Sequence, residues 1–332
     1  MADILAVGEP LLEFNAGTPG TPGTEGTGGP QPVREADAFA VGYGGDTSNF
    51  AIAARRSGAR TGYVTRVGDD DFGAALLSLW EREGVGTTHV VREPGGRTGI
   101  YFISRSPTES RFTYYRAHSA ASRLAPADIP ADAVRQARLI HLSGITQAIS
   151  TSACDATFHA MELARAAGTL ISYDPNLRPA LWPAERARAV VMRSVELCDL
   201  ALPNLGEGRL LTGEYDAEDV LAAFVRRGPS TVVLKMGAQG ALLAHEGTVT
   251  HIAPYPVEAV DATGAGDTFD GAFAARLLEG MPAPDAARHA AVAAALTTTG
   301  PGAVTPIPGR DAVDAALAGG RRTVRQSTPI RS

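Results

Sequence analysis

The sequence predicts an α/β protein in which a doubly wound, mostly parallel sheet is sandwiched by helices and carries a small β-sheet lid. Three observations lead there. From Leu139 onward, short apolar runs alternate with helical stretches, as repeated βα units covered by helices on both faces do. Between Thr98 and Arg116 the hydrophobic period changes to two, the pattern of a β-hairpin. Two glycine-rich turns, Gly44-Gly45-Asp46 and Gly264-Ala265-Gly266-Asp267, each lead directly into a helix.

Taken in order, Ile4–Val7 is a short apolar strand ending at Gly8, and residues 10–14 continue extended. Residues 16–32 are Gly, Thr and Pro with no apolar periodicity and are expected to form a flexible surface insertion. Residues 39–45 are strand-like, and a helix is expected over residues 50–57, stopped by Gly58. A strand at 63–67 follows. Asp69, Asp70 and Asp71 then precede a helix that runs through Trp80 to Gly84. They suit capping of a helix start, where carboxylates are favoured, and the alternative is a metal site. The hairpin has arms at 98–105 and 111–116 around a Ser-Pro-Thr-Glu-Ser turn. Beyond it, strands are expected at Leu139–Ser143, Leu170–Asp174, 200–203 and Thr231–Lys235, with helices ending at Ala167 and Leu197 between them. Residues 284–299 form an alanine-rich helix, residues 300–303 turn back to the core, and the tail from Arg321 is expected to fray. The expected division is an α/β domain of residues 1–10, 39–92 and 118–320 with a lid of residues 11–38 and 93–117.

A chain of 332 residues suits one large α/β domain with a small appendage. A net charge of -6 leaves no excess basic surface for nucleic acid or anionic lipid, so neither is an expected partner. Cys154 and Cys198 are too few for a disulfide framework and fit a reducing compartment. The N-terminal MADILAVGEP lacks the bases and apolar run of a signal peptide, and no segment reaches the ~18 apolar residues of a membrane span. A cytoplasmic location and a homodimer or higher homo-oligomer are expected.

The chain is organised around residues 259–278, where Gly264, Ala265, Gly266 and Asp267 lead into a helix. Glycines let backbone N–H groups converge, and a helix start adds unpaired donors and partial positive charge, so the turn suits a phosphate. Asp267 is the odd residue there. It is either a helix cap or a base that takes the proton of a hydroxyl about to be phosphorylated. The dinucleotide fingerprint is missing, since Gly264-Ala265-Gly266 is followed by Asp-Thr-Phe and lies late in the chain. The Walker loop is missing too, because Lys235, the sole lysine, follows Leu234 and no glycine. No zinc spacing or nucleophile elbow occurs. Phosphate chemistry without a Walker loop remains.

Five motifs then occur in order: Gly44-Gly45-Asp46-Thr47-Ser48-Asn49, Asp174-Pro175-Asn176, Asn204-Leu205-Gly206-Glu207, Lys235-Met236-Gly237-Ala238-Gln239-Gly240 and residues 261–267. Over roughly residues 3 to 310 the chain resembles the ribokinase-like (PfkB) carbohydrate kinases. The resemblance implies an ATP- and Mg2+-dependent enzyme acting on a small-molecule sugar or sugar acid. It implies Asp267 as base, with the Gly264–Asp267 amides holding the transferring phosphoryl. Asn204 and Glu207 match an element linked to magnesium and phosphate, with Glu207 reaching Mg2+ through water, although their spacing is also that of a capping box. Lys235, Gly237 and Gly240 match the nucleotide-side loop. Family members often hold a monovalent cation such as K+ beside the glycine turn, where Asp261 and Thr263 match and the loop near Gly302 is the other wall. One departure is an alanine, at the start of Ala291-Val292-Ala293, where the family commonly has an asparagine near the adenine.

Within that family, Gly45, Asp46 and Asn49, together with Tyr114-Tyr115-Arg116 and Asp174-Pro-Asn-Leu-Arg178, look most like the 2-keto-3-deoxygluconate kinases. Tyr114 and Arg116 are two apart on a strand and face one side, with Tyr101 on the partner strand. Arginine suits a carboxylate gripped by two hydrogen bonds, and Arg178 is a candidate helper; the alternative is a solvated arginine at a strand end. A fructokinase- or ribokinase-like enzyme for a neutral sugar, or an inactive sugar-binding regulator, are the other readings.

Overall fold

The structure, a computed structural model, describes residues 2–16, 32–105, 110–319 and 328–329. The chain begins with β1 (Ile4–Val7), turns at Gly8 into β2 (Leu11–Ala16), resumes as β3 (Phe39–Gly44) and feeds α1 (Asp46–Arg56). β4 (Thr61–Gly68), α2 (Asp71–Glu83) and β5 (Gly86–Glu93) follow, then β6 (Ile100–Arg105) and β7 (Ser110–Tyr115). Next come α3 (Ala131–Gln136), β8 (Leu139–Ser143), α4 (Gly144–Ile149), α5 (Thr151–Ala167), β9 (Leu170–Asp174) and α6 (Ala184–Leu197). β10 (Leu200–Ala201), α7 (Leu205–Thr212), α8 (Ala217–Val225), β11 (Thr231–Lys235), β12 (Ala241–His245) and β13 (Thr248–Ile252) continue the alternation. The chain closes with α9 (Ala265–Leu278), α10 (Ala283–Thr297), α11 (Arg310–Gly319) and β14 (Thr328–Pro329).

β1 lies inside a ten-stranded sheet, between β4 and β8 and parallel to both. Its Ile4 and Ala6 enter one core while Leu5 and Val7 enter the other, so an uninterrupted apolar run is what the position requires. Parallel pairing continues from β8 through β9 and β10 to β11, and β5 flanks β4. Phe50 of α1, Trp80 of α2, Phe273 of α9 and Val313 of α11 fill the first core. Met161 of α5, Val195 of α6 and Phe224 of α8 fill the second, so helices cover both faces. Among the described residues no helix is long and apolar enough to cross a membrane.

The small sheet has the order β3-β2-β6-β7, with β6 and β7 antiparallel and Tyr101 opposite Tyr114. β3 pairs with β2 in this sheet, so residues 39–44 stand with the lid strands and not with the large sheet as expected. The partners flank the insertion at 17–31, and nothing local in the sequence indicates pairing across so long a connection. Residues 17–31, most of the Ser106–Ser110 turn and most of the tail lie outside the described residues. Further differences include α3, α8, β5, the antiparallel β12–β13 hairpin and α11, which the sequence reading did not identify. The hairpin turns at Glu246 and Gly247, both at positive φ, where Glu replaces the usual Asn or Asp signal. α1 also starts four residues earlier than expected, at Asp46, which puts Asp46 and Asn49 on its first turn. Asp70 caps α2, its Oδ1 accepting from the Gly73 amide at 2.7 Å, and its Oδ2 accepts from the Thr98 amide at 2.8 Å.

The approach of α1 to α9 positions the site. A Cβ on Gly271 would lie 2.5 Å from the Phe50 carbonyl oxygen, so glycine is needed for the two helices to touch. That contact carries the first turn of α1 onto the first turn of α9.

Candidate active site

A cleft of about 1290 Å³ runs between the small sheet and the carboxyl ends of the central strands. Asp174 is the last residue of β9 and Lys235 the last of β11, the strand ends where open α/β sheets present their chemistry. The small sheet contributes Tyr101, Phe112 and Tyr114, and the start of α9 forms the floor.

Gly264 is the N-cap of α9 at φ 78, and a Cβ there would lie 2.7 Å from the Ala303 carbonyl oxygen. No side chain caps this helix. Asp267 is its third residue and turns away from the helix end: its Oδ2 accepts from Asn49 Nδ2 at 2.8 Å. The capping role is therefore unfilled by Asp267; the Ala265 amide donates to the Ala262 carbonyl at 3.3 Å, while the Gly266 and Asp267 amides keep their donors for an anion. Asn49 Oδ1 is buried without a partner, a vacancy that a hydroxyl donor would fill. The Asp267 carboxyl has its pKa pushed up to about 7, first by loss of solvation and then by the nearby Asp46 charge, with the Asn49 hydrogen bond and Lys235 opposing. Asp267 as a residue remains partly exposed to solvent.

Gly45 is the N-cap of α1 at φ 97, and Asp46 follows it. Asp46 Oδ2 accepts from Ser143 Oγ and from Asn176 Nδ2, while Oδ1 accepts from the Thr47 amide. Burial raises its pKa. Tyr101 lines the cleft with its ring, but its hydroxyl donates to Glu13 Oε2. Its ring centroid is 5.5 Å from that of Tyr114, which is 45% exposed. Arg116 lies just beyond the end of β7, with its guanidinium carbon 5.5 Å from the Tyr114 centroid. Its Nη2 donates to Glu9 Oε2, and its Nε is buried without a partner. Arg178 lines the same cleft, 3.6 Å from Glu207 Oε1.

The sequence reading passed over Glu9, which is 1% exposed, accepts from Ser119 Oγ at 2.9 Å and balances Arg116. The available signal was its place just past β1, at a strand's carboxyl end. Asp270 was also missed, although it lies one helical turn beyond Asp267. Lys235 Nζ donates to Asp174 Oδ2 at 3.1 Å and to both Asp270 oxygens at 2.9 and 2.8 Å. Burial opposes the lysine's charge, but Asp174 and Asp270 outweigh it and raise the pKa.

Asn204 and Glu207 form a complete capping box on α7, with Asn204 Oδ1 accepting from the Glu207 amide at 2.9 Å and Glu207 Oε2 from the Asn204 amide at 3.2 Å. Glu207 also lines the cleft, and burial followed by the Asp174 charge raises its pKa to about 7. Gly237 and Gly240 both have positive φ and line the same side. Asp261 is a brace: Oδ1 accepts from the Thr263 amide and hydroxyl, and Oδ2 from the Gly302 amide at 3.0 Å. Among the described residues no group of three or more His, Cys, Asp or Glu could hold a metal ion unaided. Ala291, Ala294, Ala295 and Thr298 give this end of the cleft a small-residue wall.

The profile of the pfkB family carbohydrate kinases matches residues 1–310. The chain belongs to this family. As a pfkB kinase it is a phosphotransferase acting on a sugar hydroxyl. It is 36% identical over 305 residues to the 2-dehydro-3-deoxygluconokinase of Thermoproteus tenax, covering 90% of this chain and 89% of that one. To the enzyme of the same name from Bacillus subtilis it is 34% identical over 298 residues, covering 89% and 92%. Fructokinase-1 of Oryza sativa is 33% identical over 286 residues, covering 83% and 88%. A structure from Escherichia coli in complex with ATP and Mg2+ superposes with a TM-score of 0.87 at 26% identity, over 96% of this chain and all of that one. The fructokinase of Vibrio cholerae with fructose, ADP and calcium superposes with a TM-score of 0.82 at 28% identity, covering 96% and 99%.

Proposed function

We propose that this pfkB kinase transfers the γ-phosphoryl group of ATP, with Mg2+, to a hydroxyl of a sugar acid, 2-keto-3-deoxygluconate. The observation that carries the acid is Arg116: its side chain is 10% exposed, it lines the acceptor end of the cleft, and its Nε lacks a partner. A buried N–H without an acceptor is costly, and a substrate carboxylate supplies one. The acid-phosphorylating relatives from T. tenax and B. subtilis support the same choice.

The chain's own groups fit the reaction. Asp267, held by Asn49, takes the proton of the acceptor hydroxyl, and a pKa of about 7 suits a base working near neutrality. The Asn49 Oδ1 vacancy takes a hydrogen bond from the sugar. Asp46, fixed by Ser143, Asn176 and the Thr47 amide, directs its remaining lone pairs at the same substrate. Amides at the start of α9 hold the phosphoryl oxygens, in the turn that Gly264 alone can make against Ala303. ATP supplies the phosphoryl group, and Mg2+ offsets its charge. Glu207, which lines the cleft with the nucleotide-side loop, is the carboxylate assigned to meet that metal through water. A K+ ion is assigned to the turn of Asp261 and Thr263, which Asp261 ties to Gly302.

A neutral sugar is the second reading, and it is favoured by Glu9, which already neutralises Arg116. A coupled ADP-release assay with 2-keto-3-deoxygluconate, fructose and ribose separates the two. Higher kcat/KM for the acid is expected, and a preference for fructose or ribose would reject the acid while leaving the kinase intact.

A further inference from the structure

Asp270 lies outside the five sequence motifs, yet its side chain is 1% exposed and both its oxygens accept from Lys235 Nζ. It stands one turn beyond Asp267 on α9, on the same helix face. An ammonium has three donors, and the contacts to Asp174 and Asp270 match that number. Lys235 is thus pinned from two elements, β9 and α9. Its Nζ lies 3.7 Å from where a Cβ of Gly266 would be, with no side chain at Gly266 to screen it from the cleft. With its three donors taken, the pinned ammonium gives an anion in the phosphate-holding turn no hydrogen bond but a positive charge at a fixed place, partly offset by Asp174 and Asp270, and its long stem would otherwise have to be ordered at each turnover. We propose that Asp270 is a positioning residue for phosphoryl transfer: it holds the Lys235 ammonium beside the Gly264–Asp267 turn, where the nucleotide's phosphates must pass. The proposal rests on the kinase reading and not on which acceptor is used. The competing role is structural, an ion pair that only fastens α9 to the sheet.

The test is a double-mutant cycle of D270N, K235M and K235M/D270N, read by kcat and KM for ATP and for the acceptor, with thermal melting alongside. The amide of D270N can accept from the ammonium on one side only and turns an NH2 toward it. D270N should lose about tenfold or more in kcat/KM for ATP, with KM for the acceptor changed by less than about twofold. K235M should lose at least as much, and K235M/D270N no more than K235M, because Asp270 acts through the lysine. Additive losses in the double variant, or equal losses for both substrates that follow the fall in Tm, would overturn the proposal. If D270N does not fold, K235M and K235M/D270N decide: any further loss of kcat/KM for ATP in the double variant relative to K235M refutes the positioning role. An assay with any accepted sugar serves, so failure of the acid assignment leaves this result readable.

Discussion

Replacing Asp267 by asparagine separates what the carboxylate does for catalysis from what it costs the fold. The amide keeps the shape, and its oxygen can still accept from Asn49 Nδ2. Removing the base should lower kcat by about 10²–10⁴-fold. In the parent enzyme, protonation of Asp267 should make kcat/KM fall as pH drops below about 7, and the acid limb of D267N should be shallower, since only Glu207, which titrates in the same range, is left to impose one. The stability effect has the opposite sign. An aspartate carboxyl ordinarily titrates at 3.8 and this one at about 7 in the fold, so the folded state binds the proton more tightly. The stability this gives is complete below the unfolded value and is lost as pH rises through about 7. A shift of that size corresponds to on the order of 4 kcal/mol, reduced to a few because water reaches the open cleft. D267N, neutral at every pH, should therefore melt higher than the parent at about pH 8, with the difference vanishing at about pH 4. Glu207 titrates in the same range in both proteins and cancels in the comparison. Thermal melts across pH and a coupled ADP-release assay measure the two effects. Near-parental turnover in D267N would refute the base, and a lower Tm at about pH 8 would refute the burial cost.

R116A should lose about ten- to a hundredfold in kcat/KM for 2-keto-3-deoxygluconate and little for fructose, since only the acid loses a charge-assisted bond; equal losses would make Arg116 structural. G264A forces a side chain into the left-handed region and against the Ala303 carbonyl, so kcat should fall by at least about tenfold as the phosphate-holding amides move, and unchanged kcat would mean the turn is not used. N204A should cost about 1 kcal/mol by removing the cap, seen in denaturant unfolding. E207Q should keep that stability, because its amide oxygen still accepts from the Asn204 amide, while raising the Mg2+ concentration needed for half-maximal rate; an unchanged Mg2+ requirement would leave Glu207 as a cap only.

The fold was legible where burial dictates composition. β1, β8, β9 and β11 are apolar because helices cover both faces, and each appears in the sequence as a short run between turns. β3 was read as a strand but grouped with the large sheet, because its partner β2 is known only once the small sheet closes. The site divides in the same way. The Gly264 turn and its helix are local, so their chemistry could be read from the chain. Whether Asp267 caps or catalyses depends on Asn49, 218 residues away, and on Gly264 already serving as the N-cap.

Arg116 shows the consequence for substrate choice. Residue type and strand register indicate a guanidinium at the acceptor end, but its charge is shared with Glu9, 107 residues distant. Glu9 is buried, and desolvation raises its pKa despite Arg116 and Ser119. An incoming carboxylate would bring a second negative charge to the same arginine and raise that pKa further. Binding of a sugar acid should therefore take up more protons than binding of a neutral sugar; calorimetry in buffers of different ionisation enthalpy measures the difference, and equal uptake for both would refute the coupling. The pair thus allows Arg116 to remain buried when the cleft is empty and to accept an acid when it is filled, at the cost of affinity that weakens as pH rises.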